Sequence, residues 1–288
     1  MYNSLEKICQ IAKEKKIPFY QVIISDNAKE DALSEEQEME KMLVVFRAMK
    51  DADSKYDPSL KSASNMAGTQ AAKLMDAKES GRLLCGDFVA SVAIHALKTA
   101  ESNACMKRIV AAPTAGSCGV VPAVLLSIQE RCGLSDEKMA ESLFVAAGIG
   151  GVIAARASLS GAEGGCQAEI GSASAMAAGA AAYLAGESEE GIIQACAIAL
   201  KGLLGLACDP VAGLVEVPCV KRNVLGAVNA LTAADMAIAG IYSQIPPDQI
   251  IDAMGTIGHV MSPTLKETGE GGLAVTLEGL KRRNQMKM

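Results

Sequence analysis

The chain has no tryptophan, five tyrosines and four phenylalanines among 288 residues. A core without bulky aromatics must be filled by small side chains. With alanine abundant and 27 glycines, that composition favours closely packed helices over a sheet rich in aromatic and β-branched residues. There are two histidines, His95 and His259, which excludes a multi-histidine metal site built within this chain. No Cys-x-x-Cys pair occurs, and its absence excludes the usual zinc-ribbon, thioredoxin and bacterial ferredoxin signatures. A concentrated basic surface is also missing. The formal charge is −6 with lysine and arginine scattered, which argues against nucleic acid as a partner. Met1 to Lys16 is polar and charged, without the apolar stretch of a signal peptide. The longest uncharged run, Ile109 to Gln129, is interrupted by Pro113, Gly116, Gly119 and Pro122 and carries Thr114 and Ser117. It reads as a loop followed by a buried helix rather than a membrane span. These absences lead to the expectation of a cytosolic protein with neither membrane nor nucleic acid as partner.

What is present is a globular composition. Half the residues are hydrophobic and 21% are charged, too apolar for disorder and long enough for one large or two modest domains. Nine cysteines, an odd number in a chain of this size, do not suggest a secreted disulfide framework.

Helical periodicity dominates, so the expected fold class is mainly α, built of small-residue-rich helices with Gly-rich loops between them. Leu5, Ile8, Cys9 and Ala12 form one apolar stripe. Ser34 and Gln37 have the spacing of a capping box, followed by Met39, Met42, Leu43, Phe46 and Met49. The acidic run Glu35 to Glu40 reads as the solvated face and first turn of that helix. Asp51 to Ser64 reads as a polar connector. Further helices are expected over Ser80 to Ala100, Gly119 to Cys132 ended by Gly133, Ser135 to Ser158, Gln167 to Leu184, Ser188 to Ala207 and Arg222 to Tyr242. Pro246 and Pro247 open the last clear one, and Pro263 follows it. The best strand candidate is Phe19 to Ser25. Residues 1–60 form an N-terminal helical segment, and 61–288 the larger helical part, as one continuous domain.

The loops carry the chemistry. Three are rich in glycine and small polar residues: Ser62 to Gly68, Ala112 to Gly119, and Ser160 to Cys166; a fourth runs from Cys208 to Cys219. Such backbones approach ligands closely and can cradle anions. None is a P-loop, and Gly148-Ile-Gly150 fails the dinucleotide fingerprint because position 153 is isoleucine. Cys166 ends a Gly-rich loop before a helix, and Cys208 and Cys219 bracket a loop between helices. Loop-end thiols of this kind can converge on a metal, leaving one position open if the partner is a four-iron cluster. On spacing alone, ordinary buried thiols remain the competing reading. Cys9, Cys85, Cys105, Cys132 and Cys196 read as structural. Cys118 sits in a Gly-rich loop and can line a pocket without touching metal.

Three motifs are long and ordered. They are Ala111-Ala-Pro-Thr-Ala-Gly-Ser-Cys-Gly-Val-Val-Pro122, Gly161-Ala-Glu-Gly-Gly-Cys-Gln-Ala-Glu-Ile-Gly171 and Cys208-Asp-Pro-Val-Ala-Gly-Leu-Val-Glu-Val-Pro-Cys219. Through them the chain, from about Ser62 to Ala274, resembles the α subunit of the bacterial iron–sulfur-dependent L-serine dehydratases. The resemblance implies deamination of L-serine to pyruvate and ammonia without pyridoxal phosphate. It also implies a [4Fe–4S] cluster on Cys166, Cys208 and Cys219, whose open iron acts as a Lewis acid on the serine hydroxyl or carboxylate. The family's proposed base is a histidine in a Ser-His-Thr motif of a β subunit or β domain. That motif is absent here, so the resemblance further implies a β-subunit partner in a hetero-oligomer. Both histidines of this chain read as structural. Ser62, Ser64, Asn65 and Thr114 are candidates for holding the substrate, or else are turn and cap residues. Glu163 and Glu169 flank Cys166 and are candidates for its ammonium. Lys221, Arg222 and Asn223 follow Cys219, where they either favour thiolate or substrate carboxylate or cap a helix. Lys266 to Ala274 resembles the family's C-terminal motif. The competing functional classes are an iron–sulfur electron carrier, disfavoured by three rather than four cysteines, and a non-catalytic helical scaffold, disfavoured by the Gly-rich loops. A pyridoxal-dependent enzyme lacks its Schiff-base lysine followed by a phosphate-cradling glycine run.

Overall fold

The computed structural model describes residues 2–286. In chain order its helices are α1 (Leu5–Lys15), α2 (Phe19–Glu30), α3 (Glu35–Ser54), α4 (Gln70–Glu79), α5 (Gly86–Ala104), α6 (Val120–Cys132), α7 (Asp136–Arg156), the single turn α8 (Gly161–Gly164), α9 (Ser172–Leu184), α10 (Glu189–Lys201), α11 (Cys219–Ile238), α12 (Pro247–Val260) and α13 (Leu277–Gln285). A π-turn, Gln167–Gly171, leads directly into α9. Among the described residues there is no β-strand, only one isolated parallel bridge between Cys208 and Lys266. The fold is mainly α.

α9 is the hub. Every residue from Ser172 to Tyr183 is buried, and α6, α7, α10 and α11 pack around it. Its small side chains allow that closeness. A Cβ on Gly179 would lie 2.2 Å from Cδ1 of Ile149 on α7. The N-terminal helices cover the outside of this bundle, α2 and α3 against α7, and α1 against α10 and α12. Leu5, Ile8, Cys9 and Ala12 are all buried, as their spacing predicts. The Ser34–Gln37 capping box is formed, and Ser135 and Ser188 cap α7 and α10. α7 is long and apolar enough by composition to cross a membrane; here its residues pack against α2, α3 and α9.

Several local expectations change. Phe19 to Ser25 is helical, not a strand. Its β-branched residues suggest extension, but Pro18 starts the helix and Phe19, Val22 and Ile23 share one face. The aliphatic tip of Ile23 then packs where Gly148 has no side chain. The helix expected from Ser80 to Ala100 begins only at Gly86 and runs to Ala104, after a turn in which Gly81 (φ +67°) and Gly86 (φ +70°) adopt left-handed backbone, and a separate helix, α4, precedes it. α3 continues to Ser54, into the expected connector. Glu38, within the supposedly solvated acidic run, is buried and paired with Lys41 at 2.9 Å. α10 ends at Lys201 rather than near Ala207. α11 begins earlier and ends earlier than the expected Arg222 to Tyr242. α12 is not the last helix, because α13 follows.

Candidate functional site

Three separate elements carry the three motif cysteines to one place. Cys166 stands between α8 and the π-turn, after Gly165, whose left-handed backbone (φ +74°) lets Met261 and Leu206 approach. Cys208 lies in an extended stretch. Its amide donates to the Leu265 carbonyl at 2.8 Å, and the Glu267 amide donates to its own carbonyl at 3.0 Å. Cys219 is the first residue of α11. All three are buried and none is in a disulfide. The thiols of Cys166 and Cys208 are near enough to shift one another's pKa, and the charge on Cys166 is felt at Cys219.

The protonation pattern follows from this crowding. The hydrogen bond from Cys208 lowers the Cys166 pKa, burial opposes it, and the Arg222 guanidinium assists it. Cys208 is pushed up, first by its interaction with Cys166 and then by burial. Burial pushes Cys219 up to about 12, with the Cys166 charge adding to it. A cation bound among buried thiols displaces their protons.

Glu169, on the π-turn, closes one side. Its carboxylate accepts a hydrogen bond from Thr114 Oγ1 at 2.7 Å and lies 3.9 Å from the Cys208 sulfur. Glycine makes the room. A Cβ at Gly161 would sit 2.5 Å, and one at Gly116 2.9 Å, from a Glu169 carboxylate oxygen. Burial raises the Glu169 pKa, with the Thr114 hydrogen bond acting against that and the Glu267 charge adding to it. Glu169, Cys208 and Glu267 bring ligand atoms within 4.8 Å of one another, a group able to hold a metal ion.

Asn223 latches the loop that carries Thr114. Its side chain accepts from the Gly119 amide and donates to the Gly116 carbonyl, each at 2.8 Å, and donates to the Cys219 carbonyl at 3.0 Å. Arg222 donates to the Ala207 carbonyl at 2.7 Å and to Asp209 at 2.9 Å. The other carboxylate oxygen of Asp209 accepts from the Leu273 amide at 2.9 Å. The segment from Pro263 to Val275 is thereby tied to the same site.

The remaining candidates are more dispersed. The hydroxyls of Ser62 and Ser64 both donate to buried Glu216 and also accept from the Ala67 and Met66 amides. Asn65 lines a separate cavity of about 360 Å³ beneath α13. Cys118 is fully buried with its sulfur toward the Thr99 carbonyl, apart from the three clustered thiols. Glu163 is exposed, accepting from Ser158. Together with Arg156, His259 and Lys266 it lines a cavity of about 500 Å³ whose wall includes Ala168 of the π-turn. His95 is buried between Asp53 and Glu130. Sequence reasoning overlooked Glu216, Glu267 and Asp209. Each lies inside a motif already singled out, but only the fold shows which way it faces.

The family model for the serine dehydratase alpha chain matches residues 14–274. The chain belongs to the serine dehydratase alpha chain family. It is 46% identical over 279 residues to the "Probable L-serine dehydratase, alpha chain" of Bacillus subtilis (strain 168), covering 97% of this chain and 93% of that one. It is 39% identical over 289 residues to the "L-serine dehydratase, alpha chain" of Peptoniphilus asaccharolyticus, covering 100% and 99%. An "L-serine dehydratase" of Helicobacter pylori (strain ATCC 700392 / 26695) is 44% identical over 190 residues, 65% of this chain but 42% of that protein. The matched stretch covers nearly all of the two alpha chains and less than half of the Helicobacter pylori relative.

Proposed function

We propose that the chain is the cluster-bearing α subunit of an L-serine dehydratase, and that Cys166, Cys208 and Cys219 hold a [4Fe–4S] cluster. The observation that carries the reading is the convergence of three buried, unpaired thiols from three different elements. The donor set suits the group. Soft thiolates select iron–sulfur clusters over hard cations, and Arg222 offsets part of the thiolate charge. When bound, such a cluster would supply a Lewis-acidic iron with an open position.

The protein's own residues then bind and orient. Glu169 and the exposed Glu267 beside it are acceptors for the substrate ammonium, since a carboxylate forms its strongest hydrogen bonds with a cation. Thr114 fixes the Glu169 rotamer. Ser62 and Ser64, through Glu216, order the loop that presents Asn65. Overall, L-serine loses its α-proton and its hydroxyl to give an aminoacrylate and water. The aminoacrylate becomes an imine, and water hydrolyses it to pyruvate and ammonia. The α-proton needs a base, which we assign to a second, β subunit. More than half of the Helicobacter pylori relative lies outside the stretch matched to this chain, and that is where the β portion would lie. Nine free thiols and an open-cornered cluster suit a reducing, cytosolic compartment.

The test is iron and acid-labile sulfide per chain after anaerobic co-expression with a β subunit, with serine-dependent pyruvate formation read on the same sample. About four of each per α chain, together with turnover, is the expected result. An active enzyme without iron overturns the cluster. Full turnover by the purified, iron-loaded α chain alone overturns the β-subunit requirement.

A further inference from the structure

We propose that Arg222 is the positioning residue of the three-thiol centre, the one group that sets both its geometry and its charge. This rests on the reading that the three thiols hold the cluster. Arg222 stands three residues after Cys219 on α11, so the two side chains share a helix face. From there the guanidinium reaches the stretch that carries Cys208. It donates to the carbonyl of Ala207, the residue before Cys208, at 2.7 Å and to Asp209, the residue after it, at 2.9 Å. Its charge also acts on Cys166, whose pKa it helps to lower. One side chain therefore stands on the Cys219 helix, holds both neighbours of Cys208 and acts on Cys166 through its charge.

The Arg222 side chain is 14% exposed and its Asp209 partner 8%, so the pair is little screened by water. The other nearby cations are directed elsewhere. Arg156 forks onto Asp252 at 2.6 and 2.9 Å, and Lys266 lines the neighbouring cavity. A lysine could supply the charge but not the fork, because an ammonium does not hold the Ala207 carbonyl and the Asp209 carboxylate together in the fixed geometry of a planar guanidinium. Asp209 extends the arrangement by accepting from the Leu273 amide. The bound centre would thus be coupled to the segment that follows α12.

Charge and hydrogen bonding at the sulfurs set a cluster's reduction potential, and outer-shell groups set how firmly it is held. The experiment compares wild type, Arg222→Gln, Arg222→Lys and Asp209→Asn in the anaerobically co-expressed two-chain enzyme. The readouts are the rate of iron release to a chelator, the midpoint potential and the melting temperature without iron. Arg222→Gln should release iron at least ten times faster and titrate at a lower potential. Arg222→Lys should restore the potential while still releasing iron faster than wild type. Asp209→Asn, which removes a negative charge and leaves Arg222 in place, should move the potential upward, opposite to Arg222→Gln. A fall in melting temperature with potentials and release rates unmoved means a merely structural role and overturns the proposal. Cys208→Ala serves as the reference. If it keeps its iron, the ligand assignment fails; if it loses iron while Arg222→Gln behaves as wild type, only the role of Arg222 fails. Should Arg222→Gln not fold, the lysine and asparagine variants decide by the same signs.

Discussion

Glu169 is the side chain on which the loops meet. It touches the Thr114 hydroxyl, the Cys208 sulfur and the space kept open by Gly116 and Gly161. A hydrogen bond to a charged group contributes about 1.5–3 kcal/mol. Thr114→Val should therefore lower kcat/KM about ten- to a hundredfold, and Thr114→Ser should recover most of it; steady-state kinetics on serine checks both. The thiols separate by environment in the same way. Cys166→Ala, Cys208→Ala and Cys219→Ala should each lose iron and sulfide. Cys118→Ala should keep them, because its sulfur faces the Thr99 carbonyl. Burial pushes both Cys118 and Cys219 up to about 12. Acidity alone does not mark a ligand; company does.

Helices meet here at backbone distance, which makes glycine positions informative. A Cβ on Gly258 of α12 would come within 2.9 Å of the Gly164 Cα on α8. Alanine gains up to about 1 kcal/mol in helix propensity, but overpacking against backbone costs about 1–3 kcal/mol. The contact should win, and Gly258→Ala should melt at a lower temperature than wild type. A second element-level effect binds α3, α5 and α6. His95 on α5 faces Asp53 at 2.8 Å and Glu130 at 3.2 Å, with Lys98 also on Asp53. Burial by itself would lower the His95 pKa; the bond and charge of Asp53, then those of Glu130, outweigh it and leave the value raised. A raised pKa in the folded state stabilises fully below the unfolded value near 6.5. That stabilisation is lost as pH rises through the folded value. Urea midpoints should accordingly fall between pH 6 and pH 9 in wild type, and less so in His95→Gln. Elements with long apolar stripes and cap residues, such as α1, α3 and α7, were legible from residue spacing. α2 was not, because its isoleucines and valine favour extension locally and only packing on α7 makes it helical. Likewise the three cysteines could be picked out by motif, whereas Glu216, Glu267 and Asp209 acquire partners only through contacts dozens of residues away in sequence.

At the scale of the molecule, stability is graded from centre to edge. α9 is buried on all sides, while of α13 only Gly279 is buried. Amides open with free energies ranging from near zero at such margins to the full unfolding value in the core. In deuterium oxide α13 should therefore exchange first and α9 last. The proposed cluster site straddles that gradient. Cys166 hangs one π-turn from α9, whereas Cys208 and Cys219 bracket a loop built from turns and one isolated bridge. Removing iron should speed exchange over 206–219 and leave 172–183 as slow as before. The enzyme would thus age by losing its metal from an intact scaffold, and could be recharged without being refolded.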